Sequence, residues 1–81
     1  VKIKVQNAYS DGHESTFEYE VCDKAVDYAL LDGIDQLWDL LFEYTGDGHG
    51  EDADLGWFYS IDIIEAARSE LVGVHWENSG N

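Results

Sequence analysis

The residues best equipped for chemistry lie in Thr45–Gly56, which reads T-G-D-G-H-G-E-D-A-D-L-G. Its twelve residues include four glycines, one histidine and four carboxylates. A hard cation such as Ca²⁺ takes about six to eight oxygens from flexible, acid-rich loops. Asp47, His49, Asp52 and Asp54 are the residues that would hold one here. The spacing is not that of an EF-hand, which needs Asp-x-Asp-x-Asp-Gly and a closing Glu. A single copy is no calcium-binding β-solenoid repeat. A phosphate loop is excluded as well, because Gly-Lys-Ser/Thr is missing and the acids would repel the ligand. The plainer reading is a surface loop whose glycines permit tight turns after a helix.

Other chemistry finds less support. His13, His49 and His75 stand in three separate segments, and Cys22 is the one thiol. A zinc site needs about three or four ligands held together by a second layer of contacts. His13 in a turn and His49 in the loop could approach each other, but nothing in the sequence requires it. Ser10, Ser15 or Ser60 beside a histidine would make a generic pair without a nucleophile elbow or an oxyanion motif. Carboxylate pairs are too common in so acidic a chain to indicate acid–base catalysis. The expectation is a protein without catalysis and without a cofactor.

Charge says more. Eighteen Asp or Glu against four Lys or Arg give a net charge of −14. Nucleic acid and anionic lipid would be repelled, whereas a basic protein surface would be attracted. Between Lys24 and Arg68 lie forty-three residues with eleven carboxylates and no Lys or Arg. Asp35, Asp39 and Glu43 recur at every fourth position and would form one stripe on a helix, each about 6 Å further along the axis. Like charges at this spacing cost an isolated helix a few tenths of a kcal/mol per pair. The loop acids Asp47, Glu51, Asp52 and Asp54 would extend the field beyond the helix. Trp57, next to the loop, is a candidate aromatic anchor in a contact rimmed by acids. The alternatives are a solubilising face and, for Trp57, ordinary core packing.

The elements that position these residues follow from periodicity. Val1–Ala8 alternates, with Val1, Ile3 and Val5 on one face, and Thr16–Val21 alternates again. Pairing Lys4 with Glu18 sets Lys2 opposite Glu20 and puts both apolar sets on the other face. Tyr9–His13, with Asp-Gly at its centre, supplies the turn. Asp23 is a candidate N-cap, and apolar residues then recur at helical spacing to Tyr44. Gly33 interrupts them, predicting either one kinked helix or a short helix ending near Leu31 followed by a second from about Asp35 to Tyr44. Trp57–Ala66 and Leu71–Trp76 read as strands, and Glu77–Asn81 as a frayed tail. No internal repeat is expected. The predicted fold is one α+β domain over 1–81, with one helix, kinked or split at Gly33, on an antiparallel sheet in ββαββ order.

Eleven aromatics and 44% apolar residues suffice for one modest core. No apolar run is long enough to cross a membrane, and no signal peptide is apparent. A lone cysteine suits a reducing, cytoplasmic setting, with Cys22 as a small semi-buried hydrophobe.

T-G-D-G-H-G at 45–50, L-G-W-F-Y at 55–59, E-L-V-G at 70–73 and Trp76-Glu77 together resemble small acidic uncharacterised proteins of bacteriophages and their actinobacterial hosts. The resemblance spans roughly 44–77. It implies a phage or mobile-element context and carries no catalytic or binding residues across. The combined expectation is an inhibitor or DNA mimic that meets a basic, DNA-handling host protein. The alternatives are a cation-binding module using 45–56 and an accessory subunit of a larger assembly.

Overall fold

Alternation at the start of the chain folds into the expected hairpin. In the computed structural model, which describes residues 1–49 and 55–80, strand β1 is Lys2–Tyr9 and strand β2 is Glu14–Glu20. Lys2 pairs with Glu20 and Lys4 with Glu18, the register that apolar pattern and charge demand together. The Lys2 ammonium also reaches the diagonal carboxylate of Glu18 at 3.6 Å.

Two helices follow, α1 (Asp23–Leu30) and α2 (Ile34–Phe42). The order is therefore ββααββ, and the single kinked helix is corrected to two. The alternative of a short helix ending near Leu31 followed by a second one is the arrangement found, with α2 ending two residues before Tyr44. Gly33 is the physical reason. It sits at φ +115°, ψ 168°, outside the helical region and on the side of the map that favours glycine. Before it, the amides of Asp32 and Gly33 bond to the carbonyls of Ala29 and Leu30, a tighter turn that closes α1. The capping expectation is also corrected. Asp23 is the first helical residue, and Cys22 takes the cap position. Cys22 is exposed rather than semi-buried. The amides of Ala25 and Lys24 at the start of α1 draw its thiol below the ordinary value.

Strand β3 is Trp57–Glu65 and strand β4 is His75–Gly80. The last strand thus lies four residues later than predicted at its start, and the presumed frayed tail pairs up to Gly80 opposite Trp57. Ser69–Leu71 instead forms a short 3₁₀ turn. Leu71 is buried there, and its carbonyl accepts the Val74 amide. The chain has to round this apolar plug before it can pair with β3.

All pairings are antiparallel and the sheet order is β2-β1-β3-β4. Ile3 and Val5 of β1 stand beside Ile63 and Ile61 of β3. Both helices lie on this face, where Val26, Leu37 and Leu41 complete the buried set with Val21 and Leu71. Rings extend the layer: Trp38 stacks on Trp76 with centroids 5.7 Å apart, and Tyr19 meets Tyr44 at 5.2 Å. The opposite face carries Lys4, Gln6, Ser60 and Asp62, and among the described residues no helix covers it. Among the described residues no helix is long and apolar enough to cross a membrane.

Ile61 is 0% exposed and lies on a strand bonded along both edges. Ile61→Ala is expected to cost about 2–5 kcal/mol through lost transfer energy and the cavity left behind. Urea unfolding measures this, and a loss below about 1 kcal/mol would mean that the site collapses freely or is not core.

Candidate functional site

The turn between β1 and β2 contains Asp11-Gly12-His13, and the loop after α2 contains Asp47-Gly48-His49. The same three residues therefore occur twice, thirty-six positions apart, against the expectation of no repeat. Each triplet folds the same way. The His13 amide donates to Asp11 Oδ1 and the His49 amide to Asp47 Oδ1, both at 3.0 Å. Gly12 and Gly48 take φ of +92° and +80°, values that L side chains rarely adopt.

The triplets then exchange side chains. His13 Nε2 lies 3.0 Å from Asp47 Oδ2, and His49 Nε2 lies 2.7 Å from Asp11 Oδ2. The two imidazoles stack with centroids 3.8 Å apart and planes 13° from parallel. Carboxylates only accept, so each Nε2 carries the proton. The result is a reciprocal clasp in which each turn orders its own histidine and grips the other's.

Further bonds anchor the clasp. Tyr9 donates its hydroxyl to Asp47 Oδ1 at 2.9 Å, and Ser15 donates to Asp47 Oδ2. Asn7, 1% exposed, accepts the Gly46 amide at 2.8 Å and donates to Ser15 Oγ at 3.3 Å. At the far end of the loop, the Gly56 amide donates to Ser10 Oγ, and the Ser10 amide to the Gly56 carbonyl. Ser15, the bond from His49's amide, and then His13 and Tyr9 hold the Asp47 carboxyl well below the usual carboxylate range, against the opposing effect of burial. Asp11 is lowered too, first by His49 and then by the His13 amide. The Tyr9 phenol is pushed up to about 12, chiefly by burial, with Tyr59 and the Asp47 side chain adding to it.

This geometry limits the chemistry. Asp47 accepts from Tyr9, Ser15, His13 and the His49 amide, about the full capacity of a carboxylate. Asp47 is thus turned inward, into neither a cation site nor an outward acidic field. Among the described residues no three of His, Cys, Asp or Glu are grouped to hold a metal ion. Asp52 and Asp54, the remaining acids of the cation reading, and Glu51 of the partner-binding reading lie outside the described residues. Ser15 gives its proton to the carboxylate that also receives His13 Nε2, so no imidazole stands ready to take it.

Asp35 and Asp39 lie in α2, and Glu43 follows at its C-terminal cap with helical backbone angles. Asp35, Asp39 and Glu43 are all exposed, while Leu37 and Leu41 of the same segment are buried. Among the described residues none of the three meets a basic side chain within ion-pair distance, and Arg68 is taken by Asp27 and Glu70. Trp57 lies on the helix-covered side of β3, half-buried and stacked on Tyr59 at 4.5 Å. Its neighbour Phe58 is the more exposed ring, on the bare face of the sheet. Helix α2 and the clasp are joined through Glu43–Gly46, whereas Trp57 is held by ring packing.

Sequence reasoning missed Asn7, Tyr9, Asp11 and Ser15 as partners of the loop. Two signals were present. The Asp-Gly-His triplet recurs, and Asn7 follows Ile3 and Val5 on the core face of β1, where a polar side chain needs a partner. The chain finds no match among family models, the curated proteins or the solved structures.

Replacing Asp47 with Asn puts an amide where four donors converge, and a loss of roughly 1–3 kcal/mol is expected at neutral pH. The lowered carboxyl contributes stability that is present above the ordinary value near 4 and lost as pH falls through its folded value. Wild type and variant should therefore converge in urea midpoints as pH drops below about 4. A gap that persists unchanged at acid pH would contradict the assignment.

On the bare sheet face His75 Nδ1 lies 2.6 Å from Asp62, and Nε2 lies 3.3 Å from Glu77. Asp62, then Glu77, raise the imidazole above its ordinary value. Its contribution to stability is complete below about pH 6.5 and is lost as pH rises through the raised value. By NMR, His75 should titrate above 6.5, and Asp62→Asn should bring the midpoint down. An unmoved midpoint would remove Asp62 as the main cause.

Proposed function

We propose that this domain works without catalysis, binding a basic protein through the outer face of α2. The observation that carries the reading is the row Asp35, Asp39 and Glu43, exposed and without basic partners among the described residues. The row sits within the forty-three residues that contain no Lys or Arg. A helix serving packing alone gains from interspersed Lys at such positions, because like charges four residues apart weaken it. The packing side of α2 is already supplied by Leu37 and Leu41, so the acids are surplus to the fold.

A regular row of carboxylates is also a crude copy of the phosphate row along one strand of a duplex. The specific form of the proposal is therefore a DNA-mimic inhibitor of phage type, whose partner presents Lys and Arg that ordinarily meet phosphate. Clamping by the double Asp-Gly-His motif supports this role by fixing the chain that leaves the C-terminus of α2. A rigid row loses less entropy on binding than a mobile one.

The test is affinity capture of host proteins on the tagged domain, beside the variant carrying Asp35→Lys, Asp39→Lys and Glu43→Lys. Retention of a basic, DNA-handling protein at low salt, released by added salt and absent on the variant, is the expected result. The variant should keep its urea midpoint, since all three positions are exposed. Equal capture by both proteins would remove α2 from the interface.

A further inference from the structure

The corner between α1 and α2 carries apolar side chains that the fold does not use. In α1, Val26 is buried, and Ala29 and Leu30 pack against the core. Tyr28 and Leu31 are 74% and 80% exposed. They are three residues apart in one helical turn, so they are neighbours on the outer surface. Leu30 and Leu31 differ by about 100° around the helix, and the first occupies the inward direction. Across Gly33, Ile34 is 48% exposed at the first position of α2. Three large apolar residues thus stand exposed at the corner between the two helices.

We infer that Tyr28, Leu31 and Ile34 form the apolar anchor of the interface, and that they enter an apolar recess bordered by Lys or Arg on the partner. This rests on the proposed binding through α2 and adds the chemistry of the partner's surface. Charge complementarity selects the occupant. Asp27, Asp32, Asp35 and Asp39 are exposed around the corner in sequence, and only Asp27 meets Arg68, at 2.9 Å. A second copy of the chain would bring the same acids against each other, at −14 per molecule, and like charges face to face oppose association. A basic rim removes that repulsion and leaves the apolar trio to be buried. Central apolar anchors within a charged rim are the arrangement that concentrates binding energy in a few side chains.

A defined probe separates the two layers of this reading. The probe is a fluorescent amphipathic helical peptide of Leu and Lys, with a control in which every Leu is Ser and the charge is unchanged. Wild-type domain should bind the Leu/Lys peptide at least roughly tenfold more tightly than the control. Leu31→Ser should erase that preference and leave the control's weak, salt-sensitive binding as it was, with an unchanged urea midpoint. Equal affinity for the two peptides, or a preference that survives Leu31→Ser, would overturn the anchor while leaving the acidic helix in place. Failure of both peptides to bind at low salt would overturn the acidic reading as well. Light scattering that finds a dimer of the wild type, lost in Leu31→Ser, would assign the corner to a second copy and refute the basic partner.

Discussion

Strand β1 is bonded along both edges, and the rest of the structure hangs from its inward face. Ile3 and Val5 fill the centre of the core beside Ile63 and Ile61. The next inward residue is Asn7, and the same two-residue period carries it to the end of the core at 1% exposure. A buried amide has to be satisfied. It is, by the Gly46 amide and the Ser15 hydroxyl. One strand therefore sets the apolar layer and also the point at which the glycine-rich loop attaches.

The double Asp-Gly-His clasp solves a local problem of charge. Asp11 and Asp47 would repel in a chain already far from neutrality. Each is instead given an amide two residues on and an imidazole from the opposite turn. Stacked rings at 3.8 Å then close the gap between the turns. The loop that looked most available for a ligand spends its best-placed carboxylate on its own support. Polar networks of this kind stabilise only when every buried member is satisfied, and among the described residues no buried side-chain nitrogen or oxygen lacks a partner.

Acids elsewhere divide into those with internal work and those without. Asp27, Glu18 and Asp62 meet Arg68, Lys2 and His75. Those on the outer side of α2 meet no such partner among the described residues, next to the corner at which Leu31 is exposed. The proposed function draws on this uneven distribution more than on net charge. A solubilising charge has no need of order, whereas a row on a helix tied down at its C-terminal side offers a fixed spacing.

Periodicity and composition determined much of this protein from the sequence alone. The β1–β2 register, with Lys4 opposite Glu18, followed because a strand's faces alternate strictly and opposite charges favour facing positions. The α+β class and the exposed stripe of α2 were legible for the same reason, since a helix places every fourth residue on one side. Gly33 marked the break without stating whether the helix would bend or divide; its φ of +115° divides it. Only tertiary structure decided the last strand, because β4 depends on where Leu71 is buried and not on local pattern. The fate of Asp47 was decided there too. Its partners Tyr9, His13 and Ser15 lie more than thirty residues away, and whether a carboxylate faces solvent or its own fold depends on what folding brings to it.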